Sequence, residues 1–248
     1  MQFRRFSNFF LFNCFLFFYS HTEAQYTKED SSIYTESLTG AVALYNQFIG
    51  PESELYNGTN YLFYSNNIQD GIPYFESKDF NKGYIVYNGI LYENISLLYD
   101  IVKEEVITYA PKTGFAIRLF NDKISSFRIL DHHFVHFVKE STTKIIKPGF
   151  YNVLYNGTNT LYVKHIKKIE EDLSSGKLRN FIIESRAYYI KKNKVFYRIK
   201  NKKDTLKILS DKKTEIRQFI RKNNLKLKKN MDVPLAKIVA YYDGLASK

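Results

Sequence analysis

The chain has 248 residues, with 37 Lys and Arg against 25 Asp and Glu, one Cys, no Trp and 17% aromatic residues. A hydrophobic share of 44% with only 11 Gly and 5 Pro excludes a disordered tail, a collagen-like repeat and a low-complexity linker. One Cys excludes a disulfide framework and a Cys-based zinc module.

Arg4 and Arg5 precede an apolar run from Phe9 to Tyr19, and Ser20 to Ala24 places small residues at the minus-three and minus-one positions of a cut after Ala24. This is the layout of a secretory signal peptide over residues 1–24. The run falls short of the ~20 residues that cross a bilayer, so cleavage is expected rather than anchoring. Cys14 lies inside the run without small residues before it, so no lipid-modified N-terminal cysteine is expected. The mature chain, Gln25 to Lys248, then lacks cysteine and must be held by burial alone.

Charge divides this mature chain. Residues 25–138 carry 8 basic and 14 acidic side chains, a net of −6, whereas residues 139–248 carry 27 basic and 10 acidic, a net of +17. The first stretch is expected to be an acidic β-rich domain or half, the second a basic β-hairpin region with C-terminal helices. Lys outnumbers Arg 28 to 9, and a base-composition bias would supply such lysines, but it does not explain their gathering in one half.

Leu38, Ala41, Val42, Tyr45, Phe48 and Ile49 have helical spacing, which predicts a short helix over Thr35–Ile49, stopped by Gly50-Pro51. Strands are expected at Tyr61–Tyr64, Tyr84–Tyr87, Glu105–Tyr109, Phe115–Phe120, Ile124–Leu130 and His133–Val138. In the basic half they follow at Leu161–Ile169, Asn180–Lys191 and Val195–Lys200, the last two joined at Lys192-Asn193. Asn57-Gly58, Asn88-Gly89 and Asn156-Gly157 read as hairpin tips, because a two-residue type I′ turn needs two positive φ angles. The hexapeptide LYNGTN occurs at both Leu55–Asn60 and Leu154–Asn159; it is either a duplicated β unit or the same favourable turn reached twice. Leu206 to Arg221 carries an apolar stripe opposite a basic face, and a second helix starts at Asp232-Val233-Pro234 and stops at Gly244. The expected class is α+β: mainly antiparallel sheet with several hairpins, a short N-terminal helix and two C-terminal amphipathic helices.

The segments Gly71–Phe75 (GIPYF), Gly83–Ile101 (GYIVYNGILYENISLLYDI) and Lys212–Asn223 (KKTEIRQFIRKN) resemble a group of uncharacterised exported proteins of Bacteroidota. The resemblance covers most of the mature chain. It implies a Gram-negative host and a route to the periplasm or outer membrane; that group has no established activity, so no functional residue carries over.

No nucleophile elbow, P-loop, zinc-protease helix, CxxC or acidic calcium loop occurs. Asp131 and His133 are the metal candidates, on one face of a strand, without a third ligand; half-exposed imidazoles are the plainer reading. Glu104 and Glu105 are adjacent in a strand-like stretch and point apart. The Glu170–Asp172 run reads as a solvated loop or helix turn, and Asp100, a carboxylate among apolar residues, reads as a cap before a catalytic group. Rings at Tyr61, Phe63, Tyr64, Tyr74, Phe75, Tyr188 and Tyr189 could stack on a sugar or simply pack as good strand formers. The strongest hint is the basic C-terminal half. Lys213, Arg217 and Arg221 step along one helix edge at four-residue intervals, and Lys222 and Lys226 extend the field. Like charges so placed repel, and an anionic partner would relieve them.

The sequence therefore points to an exported, non-enzymatic cell-envelope binding or accessory protein, periplasmic, outer-membrane-associated or secreted. Its basic half is expected to meet an envelope protein, anionic lipid or polysaccharide, by peripheral membrane association rather than nucleic-acid binding, and no cofactor is called for. The alternatives are a β scaffold that holds a sugar or lipid with Tyr and Phe, and a hydrolase with an unrecognised site.

Overall fold

The computed structural model describes residues 53–246 apart from 66–67, 140–142, 144, 175 and 229, together with Ser37, Gly40 and Gly50. Apart from Ser37 and Gly40, these belong to one compact unit, Val42–Lys248. The signal-peptide stretch lies outside the described residues, and so does the expected helix at Thr35–Ile49 save Ser37 and Gly40.

Twelve strands build one open sheet: β1 (Thr59–Asn60), β2 (Ile68–Asp70), β3 (Asn81–Tyr87), β4 (Ile90–Asp100), β5 (Glu105–Tyr109), β6 (Ala116–Arg118), β7 (Ile124–Ile129), β8 (His132–Phe137), β9 (Gly149–Asn156), β10 (Thr160–Asp172), β11 (Arg179–Lys192) and β12 (Val195–Ile199). Their order is β1-β6-β5-β4-β3-β7-β8-β9-β10-β11-β12. All neighbours on this path are antiparallel, and β2 makes the sheet mixed by pairing parallel with β11 at Asn180 and Phe181. Pairing of β8 with β9 carries the sheet from the acidic into the basic half of the chain.

The turns follow backbone chemistry. Asn88 (φ 52) and Gly89 (φ 79) close the β3–β4 hairpin as the type I′ pattern requires. The turn between β11 and β12 lies one residue later than expected, at Asn193 (φ 50) and Lys194 (φ 64), so a Lys occupies a left-handed site without glycine's freedom. Asn57-Gly58 is not a hairpin tip: Asn57 closes a short 3₁₀ turn (Glu54–Tyr56), and Gly58 lies so close to β6 that a Cβ would meet the Arg118 carbonyl oxygen. Asn156-Gly157 does join β9 to β10, through residues 157–159. The two LYNGTN copies thus adopt different structures, a 3₁₀ turn leading into an edge strand and a hairpin.

Four strands went unforeseen, the short β1 and β2 and the longer β4 and β9, and Tyr61–Tyr64 follows β1 without being a strand. The Glu170–Asp172 run is the end of β10, not a loop.

Three helices, not two, close the chain: α1 (Lys202–Ile208), α2 (Lys213–Lys222) and α3 (Asp232–Ala246). Asn201 caps α1, its side chain accepting from Lys203 N (2.8 Å) and Asp204 N (3.1 Å). The expected continuous helix from Leu206 breaks at a 3₁₀ turn, Ser210–Lys212. That turn is fixed from outside: Asp211 accepts from Lys192 Nζ of β11 (2.7 Å) and from Tyr242 Oη of α3 (2.8 Å). The apolar spacing reads through the break because Leu206 and Leu209 before it and Ile216 and Ile220 after it enter the same core cluster. Gly244 does not stop α3, which continues to Ala246.

Leu161 and Val163 of β10, Tyr188 and Ile190 of β11 and Ile199 of β12 are covered by Leu206, Leu209, Ile216, Ile220, Leu235, Ile238, Val239 and Tyr242 of the helical segment. In the first half, Phe75, Tyr99, Phe127, Phe134 and Phe150 form an aromatic core, with Phe127 and Phe134 stacked at 4.8 Å and the others edge-on. Tyr151, Tyr162, Tyr189 and Phe196 form a third cluster on the opposite parity of β10 and β11.

Candidate functional site

The residues expected to meet an anion all sit on or just after α2. Burial of Ile216 and Ile220 in the core turns the other side of this helix outward, and Lys213, Arg217, Arg221 and Lys222 are exposed there, with Lys226 exposed beyond its end. Asn223 and Asn224 end the helix; Asn224 takes φ 50, and Leu225 N donates back to Ile220 O at 3.0 Å.

The structure adds residues that the sequence reading did not single out. Lys202, Lys203 and Lys207 of α1 converge with Lys213 and Arg217 of α2 on an open groove of about 660 Å³, whose lining is completed by Leu206 and Ser210 and holds no carboxylate. Most of that lining is apolar, supplied by Leu206 and the methylene stems of the lysines. None of these five cations, nor Arg221, Lys222 or Lys226, forms an ion pair among the described residues. A second hollow of about 630 Å³ shares Lys207 and Ser210 and reaches Lys192, Arg198 and Tyr197. The missed signal was Asn201 with Asp204 three residues on, an N-terminal cap that starts a helix at Lys202 rather than at Leu206. Asp204 accepts from Lys200 N at 3.0 Å, so this carboxylate is occupied at the helix start.

The other candidates are dispersed. Asp131 points outward, 3.7 Å from the Arg128 guanidinium, while His133 Nδ1 lies 2.9 Å from Tyr84 Oη; burial, with Arg128 nearby, pushes its imidazole below the usual range. Among the described residues no group of three or more His, Cys, Asp or Glu side chains is placed to hold a metal ion. Glu104 accepts from Phe150 N (3.0 Å) and pairs with Lys164 (2.8 Å), whereas Glu105 pairs with Arg118 (2.7 Å).

Asp100 is fully buried and fully used. It accepts from Tyr61 Oη (2.7 Å), Tyr64 Oη (2.9 Å) and Lys103 N (3.0 Å). Lys103 Nζ lies 4.4 Å and 4.5 Å from the centres of the same two rings and donates to Leu62 O. Burial first, then for Tyr61 its hydrogen bond with Tyr74, and for both the Asp100 carboxylate, hold the two phenols protonated far above the ordinary range. This knot fastens residues 61–64 to the β4–β5 turn. Of the other rings considered as a ligand platform, Tyr74, Phe75, Tyr188 and Tyr189 are buried and packed, while Phe63 is 51% exposed.

No helix among the described residues is long and apolar enough to cross a membrane. No family model, curated protein or solved structure matches this chain.

Proposed function

We propose that this chain is an exported, non-enzymatic binding protein of the cell envelope whose α1–α2 end docks on a membrane surface rich in anionic lipid. The observation that carries the reading is the convergence of Lys202, Lys203, Lys207, Lys213 and Arg217 on a groove with an apolar floor and no acidic lining. Such a surface suits a phosphate headgroup at the rim and the first methylenes of a lipid below it. A cation close to an anionic leaflet contributes about 1 kcal/mol, so five give roughly 5 kcal/mol before ordering costs. That is enough for a loose, salt-sensitive attachment. Export rests on the Arg4-Arg5, Phe9–Tyr19 and Ala24 layout.

Co-sedimentation with vesicles rich in phosphatidylglycerol tests the reading. The protein is expected to pellet with them, to be released by high salt, and to stay in solution with phosphatidylcholine alone. Reversing Lys213→Glu and Arg217→Glu together is expected to lower binding at least a hundredfold while leaving the circular dichroism unchanged. Equal binding to both vesicle types, or no loss in the double variant, would sink it; so would capture by soluble acidic polysaccharide with no vesicle binding.

A further inference from the structure

The sheet ends at β12, which among the described residues pairs with β11 alone. A two-residue turn joins the two strands, so the pair that closes it, Lys192 and Val195, is hydrogen-bonded, and the ladder alternates from there. Tyr197 and Ile199 therefore turn their backbone groups towards β11, whereas Phe196 and Arg198 turn theirs to the open edge. Among the described residues no hydrogen bond reaches those outward N–H and C=O groups. The next outward donor, Lys200 N, is already taken by the Asp204 carboxylate at 3.0 Å. An unpaired edge of this kind is a template for another extended chain.

This edge lies in the hollow of about 630 Å³, walled by Lys207 and Ile208 of α1 and by Ile145. Strand parity explains why the walls come from two sides. Ile199, and Tyr197 with it, shares the face that the helices cover, while Phe196 belongs to the cluster on the opposite face, together with Ile146. Tyr197 and Ile145 are 37% and 41% exposed and make part of the hollow apolar. Its unmatched charge is positive. Arg198 and Lys207, with Lys194 and Lys200 at the two ends of β12, are exposed and form no ion pair among the described residues. Lys192 is matched by Asp211 at 2.7 Å, and Asp204 is the one carboxylate in the lining.

We propose that the β12 edge is a docking site for an extended acidic peptide segment of a partner protein, which adds itself to the sheet as a further strand. The outward N–H and C=O groups of Phe196 and Arg198 supply the main-chain bonds. Carboxylates of the incoming strand meet Arg198 and Lys207, and its apolar side chains lie against Tyr197, Ile208 and Ile145. A second copy of this chain is the wrong occupant, because pairing two such edges sets Lys194, Arg198 and Lys200 of one copy against the same row of the other. A lipid headgroup would meet the charges but leave the main-chain groups unpaired. The site shares Lys207 with the lipid groove, yet the inference does not rest on membrane docking, and its test contains no lipid.

Amide hydrogen exchange of the full chain, read by nuclear magnetic resonance, gives the first arm. In the free protein Phe196 and Arg198 are expected to exchange faster than Val195, Tyr197 and Ile199. The probe is a fluorescent peptide of alternating Glu and Val, with two controls: the same peptide carrying Lys for Glu, and the same peptide methylated at every backbone nitrogen. The acidic peptide is expected to bind and to slow exchange at Phe196 and Arg198 at least tenfold at saturation. Arg198→Pro removes the outward donor together with the charge at an edge position where proline is tolerated. It is expected to weaken binding at least tenfold at unchanged melting temperature, and Arg198→Gln, which keeps the donor, less so. The methylated peptide reads the main-chain bonds with the parent protein untouched, should Arg198→Pro unsettle the hairpin. Protection of both amides in the free chain, or no binding at millimolar acidic peptide, would overturn the proposal. So would equal binding by either control, or association of the chain with itself through β12.

Discussion

Lys167→Met isolates what a buried ammonium contributes to holding residues 72–76 on the sheet. The side chain is 6% exposed and joins positions more than ninety residues apart, donating to Ile72 O and Tyr74 O and pairing with Glu184 at 3.8 Å. Methionine keeps the stem and its packing but leaves two inward-facing carbonyls without a donor, at about 1–3 kcal/mol each. Against this, the variant no longer desolvates a charge, and that cost is real: burial pushes the Lys167 amine below the usual lysine range despite Glu184. The net expectation is a loss of about 2 kcal/mol, or roughly 4–8 °C in melting temperature for a chain of this size. Urea unfolding followed by far-ultraviolet circular dichroism measures it. The pH dependence supplies a second arm. Between the lowered native pKa and the unfolded value near ~10.4, the unfolded chain binds the extra proton, so the parent gains stability as pH rises through that window and the variant does not. The gap between them must therefore widen on alkalinisation. A variant as stable as the parent near neutrality, or a gap that narrows towards alkaline pH, would refute this account of the contact.

Other perturbations test neighbouring contacts. Burial pushes the His165 imidazole down to about 3, so between about pH 6.5 and 3 the unfolded state holds a proton the native state lacks and stability falls on acidification by up to ~1.4 kcal/mol per unit; urea midpoints against pH should show a shallower acid slope for His165→Leu than for the parent. Asp232→Asn removes the carboxylate that Arg186 (2.7 Å) and Tyr188 Oη (2.6 Å) share at the start of α3 and should cost about 2 kcal/mol by chemical denaturation; it should also bring the Tyr188 phenol, held up at about 12 by burial and then by Asp232, back towards ordinary tyrosine in a spectrophotometric titration. Leu235→Ala, at a fully buried position of α3, should cost about 2–5 kcal/mol in the same assay. Lys194→Gly, at φ 64, should stabilise the chain by up to ~1 kcal/mol by relieving a left-handed side-chain position.

The strands that were legible are those with dense β-branched and aromatic residues between turn signals: β5 was foreseen residue for residue, and β7, β8 and β10 to β12 within a few positions. β4 escaped because Glu93, Asn94 and Ser96 interrupt its pattern, and Asn94 takes a positive φ at a register shift against β3. β9 escaped because Asn152 reads as a turn residue, whereas it is 1% exposed and its side-chain amide is spent on His132 Nδ1 at 2.8 Å. The basic row on α2 was readable from four-residue spacing, but its convergence with α1 depends on the 3₁₀ turn that Lys192 and Tyr242 fix through Asp211, a contact between elements far apart in sequence. The burial of Lys167 was invisible for the same reason. Lys167, Arg186 and Glu184 read as ordinary alternating strand charges, and only the register of β10 on β11 and the return of residues 72–76 enclose them.

The cations of α2 raise the question of why a fold would tolerate them without a partner. Lys213 to Arg217 and Arg217 to Arg221 are like-charge pairs at four-residue spacing, each costing a few tenths of a kcal/mol at an exposed surface. Ile216 and Ile220, 0% and 3% exposed on the opposite side of the same helix, contribute about 1.5–3 kcal/mol each through burial. The apolar stripe outweighs the repulsion several-fold, so α2 forms whether or not an anion is bound. The charges are accordingly free to be set by what the surface meets, and reversing two of them should leave the core intact. That separation makes the vesicle experiment decisive: if Lys213→Glu with Arg217→Glu unfolds the protein, the row takes part in holding the fold, and its assignment to an anionic lipid surface loses its physical basis.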